Sequence, residues 1–156
     1  MDKSEYKETQ SLAANGDAKA FSRLYETLYR EMYYTAFYTL ENDKDATDAV
    51  CGAARDGFRA IGRLRSEESF RVFMMKTLCA RIKTFFKEYG ESPVNADSGI
   101  EAKEKMFGLE NSDRLCAAMY IAGRFTPEEI SQYSGMSKAA VRKRLARALD
   151  YLKLED

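Results

Sequence analysis

Apolar residues recur along this chain at steps of three and four, the spacing of a helix with one buried face. The pattern is densest at Phe21, Leu24, Tyr25, Leu28, Tyr29, Met32, Tyr33, Ala36, Phe37 and Leu40, which together define one broad apolar side of a long helix. Asn15-Gly16-Asp17 stops a shorter helix over residues 5–14, and Glu41-Asn42-Asp43 ends the long one. A third helix is expected from about Lys44 to Ile61, with Ala46, Ala49, Val50, Ala53, Gly57, Phe58 and Ile61 facing inward. After a loop at 62–66, a fourth runs to about Lys87, with Phe70, Phe73, Met74, Thr77, Leu78, Ile82, Phe85 and Phe86 as its apolar stripe. Lys76, Lys83 and Lys87 fall on the opposite side. No strand-length alternation interrupts the series, so the expected fold class is all-α.

The pattern breaks at Gly90-Glu91-Ser92-Pro93, and the following residues have linker composition. A short helix near 100–107 is a weaker expectation. The chain therefore divides into a helical bundle over 1–89, an acidic linker over 90–111 and a second small helical domain over 112–156. In that last segment Leu115, Met119 and Ala122 space a first helix ending at Gly123. Thr126-Pro127-Glu128-Glu129 then satisfies several start rules at once: an N-cap threonine, a proline where no N–H is needed, and a glutamate completing a capping box. Phe125 and Ile130 stand at the positions of a hydrophobic staple, and Gly135 offers a left-handed exit. Ser137 caps a last helix whose inner face is Val141, Leu145, Leu149 and Leu152. Its outer face is Lys138, Arg142, Lys143, Arg144 and Arg147. A short helix, a glycine turn and a basic helix are the parts of a helix-turn-helix, whose second helix enters the major groove.

Composition narrows the function classes. With 156 residues, no histidine and three isolated cysteines (Cys51, Cys79 and Cys116), the chain offers no Cys/His zinc site, no Ser-His or Cys-His pair and no phosphate-cradling glycine loop. It is read as a non-enzyme with no cofactor and no metal. No apolar run reaches the roughly 20 residues of a bilayer span, and the charged MDKSEYKETQ start lacks a signal-peptide core, so a cytoplasmic protein without direct membrane insertion is expected. The formal net charge is zero, but its distribution is uneven. Residues 70–87 and 138–153 each carry a net +5, while 88–113 carry −5. Two basic segments separated by an acidic one suit two anion-binding surfaces. Ser137, Lys138, Ala139 and Arg142, early in the last helix, are placed to reach base edges, while Lys143, Arg144 and Arg147 suit phosphates.

Order and spacing of several short segments carry a family resemblance. These are Gly-Asp-Ala-Lys-Ala-Phe-Ser-Arg-Leu-Tyr (16–25), Asp-Ala-Thr-Asp-Ala-Val (45–50) and Ser-Phe-Arg-Val-Phe (69–73). In the C-terminal third they are Thr-Pro-Glu-Glu-Ile-Ser (126–131), Gly-Met-Ser (135–137) and Val-Arg-Lys-Arg-Leu-Ala-Arg-Ala (141–148). Over about Asn15 to Leu154 the chain resembles a bacterial RNA polymerase sigma factor of the extracytoplasmic-function (ECF) group. That resemblance implies a first domain that binds the clamp of core RNA polymerase through Asp45, Asp48 and Ala49. It implies that the loop Gly62–Ser69 holds a flipped base of the melted minus-ten element. Arg63, Arg65, Phe70, Arg71, Phe73, Lys76, Arg81, Lys83 and Lys87 are then the candidates for contacting the opened strand. The helix from Ser137 would read the minus-thirty-five element of promoter DNA, and an anti-sigma factor would be a further partner. The family's usual Gln and acidic residue after Asp-Ala-Val are here Cys51 and Gly52, its common tryptophan is Phe73, and its later Asn and Asp are Ala80 and Thr84. A stand-alone helix-turn-helix regulator that does not engage polymerase is the alternative.

Overall fold

Among the described residues, six of the seven α-helices begin at a side-chain oxygen that accepts a backbone N–H of the first turn, so local chemistry sets most of the boundaries. The computed structural model describes residues 1–65, 69–90 and 108–153. In it α1 spans Lys3–Ala14, α2 Ala18–Leu40, α3 Asp43–Ala60 and α4 Phe70–Tyr89, followed by α5 Asn111–Ile121, α6 Pro127–Ser134 and α7 Lys138–Leu152. A 3-10 turn, Ile61–Arg63, extends α3. Asp2, Asp17, Asn42, Ser69, Thr126 and Ser137 are the capping residues; α5 alone starts without one. Among the described residues there is no strand, and the all-α expectation holds. The helix expected near 100–107 lies outside the described residues.

The first four helices form a bundle in which α2 packs on α3 and on α1, and α4 packs on α3 and α2. Ala46, Val50 and Ala53 of α3 and Ile61 of the 3-10 turn share a core with Phe21, Leu24, Leu28 and Met32 of α2, and all eight are buried. Phe70 closes the near end, its ring edge-on to Phe21 with centroids 5.4 Å apart. The stripe expected on α4 is only part of what that helix buries. Met75 and Cys79 are as inaccessible as Met74 and Leu78, because a second side of α4 meets the C-terminal helices.

That meeting joins the two ends of the chain. α5 packs between α2 and α7, and α6 packs on α4. The sequence spaces one stripe on α5, yet Asn111, Asp113, Arg114, Leu115, Cys116, Ala117, Ala118 and Met119 are all buried, as expected of a helix flanked on two sides. One apolar core runs from Ala13 and Phe21 through Leu78 and Cys79 to Leu115, Phe125, Ile130 and Val141. Arg114, fully buried, donates to the Thr39 carbonyl of α2 at 2.6 Å, to the Leu109 carbonyl at 3.0 Å and to Asn111 Oδ1 at 2.9 Å.

Among the described residues, the start of α6 is the most completely capped. Thr126 Oγ1 accepts from Glu129 N at 3.2 Å and Glu129 Oε1 accepts from Thr126 N at 2.9 Å, the reciprocal box foreseen from the sequence. Thr126→Ala is expected to lower thermal stability by about 1 kcal/mol, read as a drop in Tm by circular dichroism. An unchanged Tm would mean that tertiary packing alone holds α6 in place.

Candidate nucleic-acid interface

The helix-turn-helix is built from α6, a turn at Gly135 and α7. Gly135 has φ +80°, a conformation that strains any residue with a Cβ, which is why the turn needs glycine. The turn is also pinned by side chains that sequence reasoning left unassigned. Ser131 Oγ donates to the Met136 carbonyl at 2.7 Å, and Ser134 Oγ accepts from Met136 N at 3.2 Å. Ser137 then caps α7, accepting from Ala140 N at 3.1 Å. Tied at these points, α7 presents a rigid outer face.

On that face Ser137, Lys138, Ala139, Arg142, Lys143 and Arg147 are exposed and Arg144 is half-buried. Lys138, Ala139 and Lys143 lie open to solvent. Arg142 reaches Glu128 Oε1 at 2.9 Å across the turn in an exposed pair, worth little in water and readily exchanged for a DNA group. A hydrogen bond from its own backbone N–H, with Arg142 second, holds the Glu128 carboxyl below its ordinary range.

Arg144 and Arg147 behave differently. Both reach Asp113 on α5, which is nearly inaccessible: Arg144 Nη1 at 2.8 Å from Oδ1, Arg147 Nε at 2.8 Å from Oδ2, and Arg147 Nη2 at 3.0 Å from Oδ1. Burial pushes the Asp113 carboxyl up, but the bonds from Arg147 and Arg144 more than offset it and leave it below the usual range. The two guanidiniums are therefore held by the protein, with the Arg147 side chain still half-exposed. Asp113 went unnoticed in the sequence because its partners lie more than thirty positions away.

The second basic surface, on α4, is divided among three sides of the helix. Phe73 is half-buried, while Lys76, Lys87, Ala80 and Thr84 are exposed on one open side. Phe70 is a correction: it is 1% exposed, packed against Phe21, and has no surface to offer a strand. Arg81 turns toward α3, bonding Asp56 through Nε at 2.6 Å and Nη2 at 2.9 Å, and this pairing holds the Asp56 carboxyl low. A Cβ on Gly52 would lie 2.9 Å from Arg81 Cζ. The glycine that departs from the family pattern thus makes room for this arginine. Arg71 and Lys83 face the C-terminal helices. Arg71 Nε is 3.3 Å from the Tyr133 hydroxyl, its Nη2 is 3.9 Å from Glu129 Oε2, and its Cζ stands 4.8 Å from the centre of the Phe125 ring. Lys83 donates to the Ser134 carbonyl. Arg63 and Arg65 are exposed in the first part of the loop, of which residues 66–68 lie outside the described residues. Beside it opens a cleft of about 350 Å³ lined by Tyr6, Thr27, Leu28, Ser69 and Arg71.

At the start of α3, Asp48 is exposed and pairs with Lys44 at 3.0 Å, and Asp45 is half-exposed. Ala49 is a second correction, since it is buried against the bundle. A feature assigned from the sequence to the core emerges instead at the surface. Tyr25, Tyr29, Tyr33 and Phe37 form a ladder along α2 with successive centroids 5.7, 6.1 and 5.9 Å apart. Tyr29 is exposed and the others are half-buried. The Tyr33 hydroxyl donates to Asp43 Oδ1, and that bond raises its pKa to about 12. Helical period alone could not separate this flank from the buried one, because a broad stripe of aromatic residues exceeds what one neighbour covers.

Cys79 and Cys116 are buried, and burial pushes their thiols up to about 12 and about 11, so neither is a ready nucleophile. Among the described residues no group of three or more His, Cys, Asp or Glu could hold a metal ion. Nor, among them, is any helix long and apolar enough to cross a membrane.

The helices, their order and their packing have a counterpart among solved structures. This chain is similar in fold to CnrH. The structure of CnrH in complex with the cytosolic domain of CnrY matches with a TM-score of 0.75 and 17% sequence identity, over 95% of this chain and 94% of that one. The match to CnrH takes in the bundle and the helix-turn-helix together. Compared with protein-family models and with curated proteins, the sequence gives no match.

Proposed function

We propose that this chain is an ECF-type sigma factor, a dissociable subunit that binds core RNA polymerase and selects promoters for transcription initiation. The observation that carries the reading is the pairing of an exposed, capped, basic α7 with a second basic helix, α4, in a fold shared nearly end to end with CnrH. CnrH is an ECF sigma factor, and the resemblance of the short segments at 45–50, 69–73 and 126–148 points the same way.

The geometry supports the following assignment of roles. Lys138, Ala139 and Arg142 of α7 meet base edges in the major groove of the upstream element, and Lys143 and Arg147 meet phosphates. Phe73, Lys76 and Lys87, on the open side of α4, track the melted strand, as aromatic and cationic groups do on single-stranded DNA. The cleft beside Ser69 and Arg71 takes an extruded base, whose lost stacking of a few kcal/mol must be offset by a pocket. Asp45 and Asp48 with the Tyr25–Phe37 ladder form the surface for the polymerase clamp, or for an anti-sigma segment that competes with it. The protein has no catalytic step of its own; bond making belongs to the polymerase.

Transcription by purified core polymerase, with and without the chain, on a promoter library is the deciding experiment. Promoter-specific start sites that depend on the chain are expected. Duplex binding without any polymerase engagement would replace this reading with the stand-alone regulator. Within the first reading, Lys143→Ala should reduce the salt slope of DNA binding by about 1 and leave base preference unchanged. A changed preference in a binding-site selection would instead place Lys143 at a base edge.

A further inference from the structure

The three arginines on the outer face of α7 each end on a carboxylate of another helix, but the two acids differ. Arg144 and Arg147 share Asp113, which is 3% exposed, and that pairing serves the fold. Arg142 instead crosses the turn to Glu128 of α6, its Nη2 2.9 Å from Oε1, with both side chains more than half exposed. An ion pair so open to water contributes little to stability. A carboxylate beside the groove-facing cations also repels phosphates. Stability does not account for Glu128, and general affinity for DNA argues against it.

Both ends of the pair are fixed. Glu128 is the second residue of α6, whose start is held by the reciprocal box of Thr126 and Glu129. α6 is tied to α7 through the bonds of Ser131 and Ser134 to Met136. The Glu128 carboxyl also accepts from its own backbone N–H, and Lys138, the first residue of α7, adds to the attraction. The carboxylate thus faces Lys138 and Arg142, the two cations placed to reach base edges. A guanidinium bonded to it has its direction set before DNA arrives.

That bond uses one of the five N–H groups of an arginine. Enough remain for a bidentate pair to O6 and N7 of a guanine, the commonest specific arginine contact, with Glu128 still bonded. A phosphate is different, because Arg142 must leave Glu128 to swing toward the DNA backbone. At a guanine the pair is kept; at a phosphate it is exchanged. The gap between correct and incorrect sequences therefore widens by the strength of the pair, even as general affinity falls.

Resting on the reading of α7 as the helix that enters the groove, we propose that Glu128 is a positioning residue for promoter recognition. It holds Arg142 toward a guanine of the upstream element and away from phosphates.

The test is selection of bound sequences from a duplex library randomised across the upstream element, with the full chain and core RNA polymerase present. Glu128→Ala should keep the wild-type preference at every position but one, where preference for guanine falls about 2- to 5-fold. On sequences lacking that guanine its affinity should rise and its salt slope steepen by about 1, as Arg142 is released to a phosphate. In an Arg142→Ala background, adding Glu128→Ala should leave base preference as Arg142→Ala set it. Simple removal of a repelling charge would instead raise affinity for every sequence alike, in either background. A uniform gain, a preference unchanged at all positions, or the same narrowing without Arg142 overturns the proposal. Thermal melting checks each fold, and if Glu128→Ala does not fold, the isosteric Glu128→Gln carries the same readouts. A wild type that enriches no sequence, with or without polymerase, fails the groove-reading assignment itself and the positioning role with it.

Discussion

Arg114→Ala is expected to cost the fold about 3–5 kcal/mol, the largest effect of any single substitution argued from this structure. The side chain is fully buried and donates to the carbonyls of Thr39 and Leu109 and to Asn111 Oδ1. Alanine would leave those acceptors without their donor, each at about 1–3 kcal/mol where water cannot enter, and would open a cavity the size of the lost side chain. Partial entry of water brings the sum down to the range given. Urea unfolding followed by circular dichroism measures it as a lowered midpoint. A loss under about 1 kcal/mol would mean that the guanidinium's desolvation had cancelled most of what its bonds contribute. Because Thr39 is on α2 and Arg114 on α5, the substitution should also loosen the seam between the two ends of the chain.

Asp113→Ala should rank second, at about 2 kcal/mol, discounted because Arg147 is half-exposed and its pairing is partly screened. The effect carries a pH signature. The Asp113 carboxyl is held below its ordinary value in the folded protein, so the unfolded chain takes up a proton first as pH falls. Its contribution is therefore fully present above about pH 5 and is lost as pH drops through the folded value. Asp56, held down by Arg81, adds to stability with the same sign. Denaturation midpoints measured from pH 7 to pH 3 should fall for the wild type and fall less for Asp113→Ala. Parallel curves would remove Asp113 as a source of acid sensitivity.

Most of the local structure was legible in the residues. Thr126, Pro127 and Glu129 announced α6, Gly135 its exit and Ser137 the start of α7, because a cap is satisfied within three residues and needs no distant partner. The inner face of α7 was equally clear, since Val141, Leu145, Leu149 and Leu152 follow one helical period and all are buried. Legibility ended where a helix has two neighbours. Period identified the side of α4 that carries Met74, Leu78 and Ile82, but Met75 and Cys79 are buried by α5 and α6, contributed from far along the chain. On α2 the error ran the other way: Tyr25, Tyr29 and Tyr33 share the apolar face, yet Tyr29 is exposed and Tyr25 and Tyr33 are only half-buried.

The charged residues divide along the same line. Sequence alone determined that α7 is basic on its outer side, that α4 carries a second set of cations, and that neither histidine chemistry nor a cysteine metal site is available. These follow from residue type and helical period, both local properties. Tertiary structure decided what each cation is bonded to. Arg142 remains in an exchangeable surface pair, whereas Arg144 and Arg147 converge on Asp113, Arg81 on Asp56, and Arg71 on Tyr133 and Phe125. Those partners lie 14 to 62 positions apart in the chain, and only folding brings them within the roughly 3 Å at which a hydrogen bond forms.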